Sequence, residues 1–473
     1  MSGTASGDGD DQVHWYTEHT ALVITTLKWT VLGVVAGLCV GLGTRAFLWA
    51  LASATAVVAR LATGGLRPSD VLPLALPVGV WLIRRFAPTA RGHGTEAVIA
   101  AVHRDSGRID WRVAPIKLVA TILTLAFGGS VGKEGPCAQI GAAITSLFAD
   151  GLRLNDEDRR RLVICGIGAG FAAVFGTPVS GALFGIEVLY LGRIEYPVLF
   201  PCLVAGIVAH LVSGVVPPVP TLQEHVEALS QTKLVILAIV FGAICGLVAL
   251  LLIETMRTLD RRLHSRVASR PYATALVGGV ALAVLFRLAG DAYAGLGSST
   301  ISAALAGDAA RLGPISPLVK IGATALTLEV GGSGGIVTPL FFIGSTSGVA
   351  FAELLHLPVG LFAAFGFVAV LAAAANTPIA AAVMGMELLP GPVGVYAALC
   401  AGAAFLMVGH RSVYASQRLG LVKSAGLEVA VGGPIGDIDR RGLRVRKDSL
   451  TDRTLRLQRR LRPQSLLRRR RLR

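Results

Sequence analysis

Charged residues are scarce in this sequence, and their scarcity excludes an ordinary soluble protein. Of the 473 residues, 15% are Asp, Glu, Lys or Arg and 53% are hydrophobic, whereas a soluble domain carries about a quarter charged residues. The long stretches without a charged residue include 31–43, 72–82, 234–253, 275–285 and 361–386. The composition therefore predicts an all-α polytopic membrane protein.

The charge-free stretches differ in length. A helix needs about 20 apolar residues to cross the core of a bilayer. Stretches 234–253 and 361–386 reach that length, whereas 72–82 and 275–285 fall short. We therefore expect tilted, re-entrant or half-spanning helices among the full spans rather than a set of uniform rods.

Paired cysteines are also lacking. The six cysteines stand singly in apolar surroundings, without CxxC spacing and without a nearby histidine. This pattern is typical of small buried hydrophobic residues rather than of a disulfide framework or a metal site. We expect neither a metal nor a cofactor.

The N-terminus lacks the features of a cleaved signal peptide. Residues 1–20 are polar and acidic, with neither a basic start nor a small-residue cleavage site, which argues against removal of a leader. We expect these residues to form a polar cytoplasmic segment. The chain would then insert into the membrane through its own first helix, beginning near Ala21.

Basic residues are abundant only near the C-terminus. The net charge is +15, and residues 440–473 hold fourteen Arg and one Lys against two Asp, which gives 15 − 2 = +13. This concentration predicts a cytoplasmic tail. We therefore expect a plasma-membrane protein whose two termini both lie in the cytoplasm. Leucines interleaved with the arginines also suit contact with anionic lipid. Nucleic acid is a poorly supported partner because apolar spans precede the tail.

An internal repeat organises the chain. Residues 117–141 align with 320–344 at an offset of 203 without a gap, and 13 of 25 positions are identical. A second block, 166–187, aligns with 366–387 at an offset of 200, including a Thr-Pro pair and a terminal Glu. A duplicated membrane chain usually forms two structural repeats around a site near the bilayer midplane.

The repeat divides the chain into five parts. We expect repeat 1 over 21–215 and repeat 2 over 232–425, joined by a proline-rich connection at 216–231. The polar segment 1–20 precedes them and the basic tail 426–473 follows.

The repeated motif G-G-S-x-G-x-x-x-P predicts a broken helix in each half. Gly128 and Gly129 can end a helix, and Pro136 suits the first turn of a new one near Gly132 to Pro136. The same pattern starts a helix within 335–339. Unpaired N–H groups at such helix starts stabilise anions, so two starts could converge on one anion.

Glu134 lies at the first of these helix starts. A carboxylate there competes with a soluble anion for the same N–H groups, and protonation releases it, so Glu134 is a candidate gate or proton carrier. A simple helix cap is the alternative. Lys117 and Lys320 each precede their motif by eleven residues. Either they add positive potential to the pathway or they snorkel to the interface.

These residues resemble the CLC family of chloride channels and proton-coupled chloride exchangers. Gly-Lys-Glu-Gly-Pro at 132–136 is similar to the family's G-K/R-E-G-P signature, and 335–339 to its G-x-F-x-P signature, with Val337 in place of phenylalanine. Residues 92–96 stand where the family has G-S-G-I-P, and Tyr414 stands where it has a late tyrosine.

The resemblance implies a homodimer with one pore per subunit and two inverted-topology repeats. It implies that Tyr414 and the loop carrying His93 and Gly94 lie beside the anion. It further implies anion ligands from the backbone N–H groups of Lys133, Glu134, Gly135, Ile336, Val337 and Thr338.

Two departures from the family pattern bear on mechanism. His93 replaces a serine, so either its imidazole donates to the anion and alters selectivity or its ring turns away. Val188 follows Glu187 where proton-coupled relatives have a second glutamate, and valine there resembles the passive channels. Glu187 could substitute, but Glu387 in the other repeat suggests a structural role for both.

We therefore expect transport of chloride or a similar small monovalent anion through a pore gated by Glu134, as in a voltage-gated chloride channel. A proton-coupled chloride or other halide antiporter is the alternative. A membrane-embedded enzyme that uses Ser130 or Ser333 with His93 or His410 is a distant third possibility. No third group that would orient such a pair is evident, so we do not expect an enzyme.

Overall fold

The computed structural model describes residues 15–62, 65–216, 229–308 and 313–461, and within them the fold is helical. Within these ranges, the first half contains eight α-helices: α1 (Trp15–Leu61), α2 (Leu72–Phe86), α3 (Thr95–Arg104), α4 (Val113–Ala126), α5 (Glu134–Gly151), α6 (Asp156–Phe175), α7 (Pro178–Glu187) and α8 (Leu199–Ser213). Strand β1 (Tyr190–Leu191) separates α7 from α8.

The second half repeats this order. Its helices are α9 (Gln231–Ser269), α10 (Pro271–Ala289), α11 (Ser298–Leu305), α12 (Ser316–Glu329), α13 (Val337–Leu355), α14 (Val359–Ala375), α15 (Pro378–Leu388) and α16 (Gly391–Met407). Strand β2 (Arg418–Leu419) follows and pairs in parallel with β1, so the two halves also meet outside the helices.

Nine of these helices are apolar enough to enter a membrane. Within the described residues, five are long enough to cross a bilayer: Trp15–Leu61, Tyr196–Ser213, Gln231–Ser269, Pro271–Ala289 and Val337–Leu355. Four apolar helices are shorter: Val113–Ala126, Val359–Ala375, Pro378–Leu388 and Gly391–Met407. Full and partial spans are thus mixed, as expected, but two stretches differ from the expectation. Stretch 361–386 is divided between α14 and α15, whereas 275–285 lies within α10, which is long enough to cross.

The helices break where the glycine motifs predict. Helix α4 ends at Ala126, Gly128 takes a φ of +86° that excludes most side chains, and α5 begins at Glu134. In the second half, Gly331 takes a φ of +106° and α13 begins at Val337. Both new helices therefore start inside the intervals predicted from the sequence.

The Thr-Pro pairs of the second repeated block make a further pair of breaks. Helix α6 ends at Gly176, whose φ is +72°, and Pro178 then occupies the first turn of α7. In repeat 2 the left-handed residue is Asn376, with a φ of +54°. Asparagine is one of the few residues besides glycine that adopts this conformation readily, so the same break forms from a different residue.

Paired glycines allow the central helices to touch. A Cβ atom on Gly344 of α13 would lie 2.0 Å from the carbonyl oxygen of Gly366 on α14, and one on Gly366 would lie 2.1 Å from that of Gly344. Gly141 of α5 and Gly166 of α6 form the equivalent contact in repeat 1. Small residues of this kind let helix backbones approach closely in membranes.

The chain segments beyond the repeats differ from the expected boundaries. Helix α1 begins at Trp15, ahead of the expected Ala21. The rest of the predicted polar segment, residues 1–14, lies outside the described residues, as do residues 217–228 of the predicted connection. Part of the predicted tail is folded. Strands β3 (Leu427–Glu428) and β4 (Arg444–Val445) pair, helix α17 (Ile438–Arg441) lies between them in the chain, and helix α18 (Leu450–Leu461) follows β4.

The folded part of the tail packs on the β1–β2 pair. Ile435 and Ile438 are buried together with Leu191 and Leu419. The Ile435 N–H donates to the carbonyl of Gln417 over 2.8 Å, which ties the tail to the loop ahead of β2. The tail therefore marks one face of the molecule.

The glycine contact between α13 and α14 gives a first prediction. Gly344→Ala should destabilise the protein by about 1–3 kcal/mol, the usual cost of overpacking a core, because backbone atoms occupy the space for the new methyl group. Gly402→Ala on α16 is the matched control, since nothing lies within 4 Å of a Cβ atom there.

Thermal unfolding in detergent checks this prediction. The transition temperature should fall in Gly344→Ala and should stay or rise slightly in Gly402→Ala, since alanine is the better helix former. Equal transition temperatures in the two variants would contradict the proposed role of the contact.

Candidate functional site: the meeting point of the broken helices

The two glycine motifs meet at the centre of the molecule. The Gly132 N–H donates to the Gly335 carbonyl over 2.7 Å, and the Gly335 N–H donates to the Gly132 carbonyl over 2.6 Å. This antiparallel bridge joins equivalent residues of the two repeats, which therefore relate by a local two-fold axis. The starts of α5 and α13 follow directly on either side of it.

Serine and threonine side chains hold the meeting point together. The Ser130 hydroxyl lies 3.0 Å from that of Thr324, and the Ser333 hydroxyl lies 3.1 Å from that of Thr121. Both serines are buried. Each therefore links one repeat to the other, and neither serine hydroxyl is paired with a histidine as a nucleophile would be.

The Glu134 side chain reaches the start of the other repeat's helix as well as its own backbone N–H group. Its carboxylate accepts a hydrogen bond of 2.5 Å from the Val337 N–H and one of 2.6 Å from the Thr338 hydroxyl, both at the start of α13. The side chain is 1% exposed. A negative group thus occupies the N-terminal end of the partner repeat's helix, where the helix dipole and unpaired N–H groups stabilise an anion.

A cavity leads to this carboxylate from one side. It has a volume of about 320 Å³, and Lys133 and Thr338 bring the polar groups of the site to its wall. Apolar side chains form much of the remaining lining, including Phe175, Phe341 and Phe367. Val215 and Val216, which follow the C-terminal end of α8, lie on the same wall.

On the other side of Glu134 lie two polar side chains, those of Tyr414 and His93. Tyr414 is fully buried and lies within electrostatic range of Glu134. Nδ1 of His93 makes no hydrogen bond in the described part of the chain, and the Tyr414 hydroxyl has the Thr95 side chain as a weak hydrogen-bonding neighbour. The two rings are 5.5 Å apart, so the imidazole faces Tyr414 instead of turning away. Buried donors without partners are the groups that a bound anion would satisfy.

A tight turn brings the His93 loop to this position. The Thr95 N–H donates to the His93 carbonyl over 3.0 Å, and Gly94 between them has φ 83° and ψ −67°. These angles define a strained γ-turn. A Cβ atom on Gly94 would lie 2.6 Å from the Gly135 carbonyl oxygen, so only glycine fits.

This turn is itself duplicated, which was not among the predictions from the sequence. Gly-His-Gly-Thr at 92–95 corresponds to Gly-Leu-Gly-Ser at 295–298, at the same offset of 203. The match between the two turns covers only four residues in the sequence. In the structure it is evident because an equivalent lysine binds each turn. The Lys117 ammonium donates to the Ala90 and Gly92 carbonyls, and the Lys320 ammonium donates to those of Tyr293 and Gly295.

Of the two roles that the sequence left open for the lysines, burial excludes one, and Lys117 adds positive potential at His93. Both lysines are fully buried, which excludes snorkelling to the interface. Their ammonium groups are engaged by carbonyls of the glycine loops. They fix those loops beside the site from within the protein.

Glu187 and Glu387 are structural, as their duplication suggested. The Glu187 carboxylate accepts from the N–H groups of Ile379 and Ala380 at 3.1 and 2.8 Å. The Glu387 carboxylate accepts from those of Val179 and Ser180, each at 2.9 Å. Each glutamate thus caps the helix start of the opposite repeat, and both are removed from Glu134.

Most of the predicted site residues come together here. The starts of α5 and α13 and the His93 loop bring them within one region, and Tyr414 lies beside the His93 ring. The residues of the group are His93, Gly94, Lys133, Glu134, Gly135, Ile336, Val337, Thr338 and Tyr414. Two of them, Lys133 and Thr338, also line the cavity described above.

Comparison with known proteins identifies the family. Residues 71–409 match the family model described as voltage gated chloride channel. The chain is 40% identical over 340 residues to the "Chloride/fluoride channel protein" of Pseudomonas syringae pv. tomato, covering 69% of this chain and 73% of that protein. It is 29% identical over 326 residues to the H(+)/Cl(-) exchange transporter ClcA of Salmonella typhi, covering 66% and 68%.

Solved structures share the fold. A CLC-type fluoride/proton antiporter superposes with a TM-score of 0.77 at 28% identity, over 86% of this chain and 99% of that one. A cyanobacterial Cl−/H+ antiporter superposes with a TM-score of 0.68 at 20% identity, over 80% and 94%. The protein is therefore not an enzyme but a membrane transport protein, and the chain belongs to the CLC family.

Proposed function

We propose that this protein exchanges a small halide ion for protons across the membrane, with Glu134 as both gate and proton carrier. The observation that carries the proposal is the position of the Glu134 carboxylate at the start of α13, on the Val337 N–H and the Thr338 hydroxyl. A carboxylate and a halide compete for the same donors, so the site holds one negative charge at a time.

Protonation of Glu134 provides the exchange. A neutral carboxyl group gains less from the helix dipole than a carboxylate does, so a proton on Glu134 favours its release from α13. A halide can then bind at the vacated donors. Return of the carboxylate, after it has lost its proton, expels the halide. One side chain therefore links the two ions without any large movement of the fold.

We favour an exchanger over the passive channel that Val188 suggested in the sequence. Salmonella ClcA is named an H(+)/Cl(-) exchange transporter, and the structural relative at 28% identity is a fluoride/proton antiporter. The relative at 40% identity carries the name channel. Valine at position 188 therefore does not identify a channel here, since the names favour the antiporter alternative.

Fluoride is the halide that we expect first, and chloride second. Fluoride is named in both the relative at 40% identity and the structural relative at 28% identity. The proposed ligands are the N–H groups of Gly94 and of the starts of α5 and α13, the Thr338 hydroxyl, the Tyr414 hydroxyl and the His93 imidazole. These are donors, and fluoride is the halide that accepts hydrogen bonds most strongly.

We further propose the surroundings that the sequence predicts. The protein is a homodimer in the plasma membrane with both termini in the cytoplasm, and its basic tail contacts anionic lipid. Helix α18 supports the last point because Leu450 and Leu457 are exposed on a helix that also carries Arg453 and Arg456. Arg462–Arg473 of the tail lies outside the described residues.

Flux from liposomes tests the function. Purified protein should release fluoride, and chloride more slowly, with protons moving in the opposite direction at a fixed ratio. Glu134→Gln should abolish at least about nine-tenths of the proton movement while the protein stays folded, since an amide cannot carry the proton. Fluoride and proton electrodes in the outer solution record both ions.

Two outcomes would contradict the proposal. Halide release without any proton movement by the wild-type protein would restore the passive channel. Absence of release for both halides would remove the anion pathway altogether. Glu187→Gln, which keeps an acceptor at the opposite helix start, is the matched control and should couple like the wild type.

Halide affinity should depend on pH in a direction set by the competition. When Glu134 is charged, its carboxylate occupies the site and excludes the halide. The apparent affinity for halide should therefore rise as pH falls. The rise should reach up to about tenfold per pH unit over the range in which most molecules have the carboxylate in the site. The dependence should disappear in Glu134→Gln. Calorimetric titration with fluoride at several pH values measures it, and an affinity that rises with pH in the wild type would contradict the competition.

The γ-turn at Gly94 gives a prediction for the same measurement. Gly94→Ala should weaken fluoride binding at least about tenfold because the methyl group clashes with the Gly135 carbonyl and displaces the His93 loop. Gly92→Ala is the control: its φ is also positive, at +77°, but nothing lies within 4 Å of a Cβ atom there. Equal loss of affinity in both variants would show that backbone strain, and not the close approach, matters.

A further inference from the structure

We propose that Glu96 is the inner proton-transfer group, which receives the proton that Glu134 releases toward the cytoplasm. The inference rests on the proposed function and deepens it. A proton leaving a buried carboxyl group needs another titratable group or water to accept it, and chains of carboxylates and histidines serve this purpose in membrane proteins. The structure places one unassigned carboxylate beside the site.

Glu96 lies in the first turn of α3, directly after the γ-turn at Gly94. Its Oε1 accepts hydrogen bonds from the Ser416 N–H at 2.8 Å and from the Ser416 hydroxyl at 2.5 Å. Its Oε2 is enclosed and makes no hydrogen bond within the described residues. One oxygen therefore anchors the side chain, and the other remains able to take a proton.

Tyr414 connects the two carboxylates. Its hydroxyl lies within electrostatic range of both Glu134 and Glu96, and the Thr95 side chain is its hydrogen-bonding neighbour. Ser416, which anchors Glu96, lies two positions further along the same loop. A hydroxyl between two carboxyl groups can donate to one and accept from the other, so a proton can pass along this line, through Tyr414 or an adjacent water.

Glu96 lies on the side of the site that faces the tail. Its anchor Ser416 belongs to the loop that the tail holds through Ile435 and through Gly436, whose N–H donates to the Ala415 carbonyl over 2.9 Å. The cavity with Lys133 lies at the C-terminal end of α8, whereas β1 and the tail lie at its N-terminal end. The helix has 15 residues, about 22 Å. With the tail in the cytoplasm, Glu96 is the inner group.

The surroundings of Glu96 differ from those of the other buried glutamates. Glu187 and Glu387 each use both oxygens on backbone N–H groups, so protonating either would break a helix cap. Glu96 has one anchored oxygen, and Arg104 on its own helix is the charged group that acts on it electrostatically. Protonation of its second oxygen breaks no hydrogen bond.

The charge balance of the step is simple. The proton leaves the Glu134 carboxyl group, which becomes a carboxylate and returns to α13, and it neutralises Glu96. Glu96 then passes the proton to cytoplasmic water and regains its charge. While Glu96 is neutral, a halide that enters from the cytoplasm past Tyr414 meets no second negative group, so the arrival of the proton at Glu96 assists halide movement in the opposite direction.

Flux measurements on a set of Glu96 variants test the proposal. Glu96→Gln keeps an oxygen for Ser416 but cannot titrate, so halide flux should stay within about threefold of wild type while proton flux falls at least tenfold. Ser416→Ala is the matched control: it removes one hydrogen bond to the anchored oxygen and leaves the carboxylate. Its proton-to-halide ratio should equal that of the wild type. Glu96→Asp should retain measurable proton flux.

Each result decides the question. A wild-type ratio in Glu96→Gln would overturn the assignment, as would equal loss of proton flux in Glu96→Gln and Ser416→Ala, because the role would then be structural. If Glu96→Gln does not yield folded protein, Glu96→Asp with proton flux absent and halide flux intact would overturn it too. Failure of the proposed function is distinct, since the wild type itself would then move no protons.

Discussion

A backbone N–H group at the start of a helix cannot remain unpaired in the middle of a bilayer, where no water is available to satisfy it. This protein places two such starts, those of α5 and α13, next to each other at its centre. Everything around them can be understood as a consequence. The glycines end the preceding helices, the prolines begin the new ones, and a negative group occupies the donors at the start of α13.

The symmetry of the two halves is what makes the arrangement possible. Equivalent residues bridge at Gly132 and Gly335, and serine and threonine side chains cross from each repeat to the other. The helix starts of α7 and α15 are capped in the same reciprocal way by glutamates. Polar groups of one half are thus satisfied by the other, so neither half could bury its broken helices alone.

Function arises where this symmetry fails. Glu134 faces the start of α13, but its counterpart is Val337, which offers only its backbone N–H. His93 corresponds to Leu296, and Glu96 to Ser299. The titratable residues of the proposed proton pathway, Glu134 and Glu96, therefore have no titratable counterpart in repeat 2. A pathway with distinct outer and inner ends needs such asymmetry, and the duplicated scaffold supplies the rigid frame for it.

The sequence by itself determined the membrane class, the repeat, the helix breaks and the position of Glu134, because each depends on local rules. Glycine and proline act on the backbone at their own positions, and a charge within an apolar stretch is visible in the chain. Only the tertiary structure decided the partners. Residues 134 and 337, or 96 and 416, are far apart in the chain, and their hydrogen bonds arise from packing of the two repeats.

The buried lysines show the same limit. Their positions before the motifs were visible, but their carbonyl partners became visible only when the loops at 92–95 and 295–298 folded back onto them. Proline and glycine determine the backbone conformation at their own positions, whereas the role of a buried charged side chain depends on the groups that it contacts in the folded protein. For that physical reason, the roles of Lys117, Lys320, Glu187 and Glu96 belonged to the fold and not to the sequence.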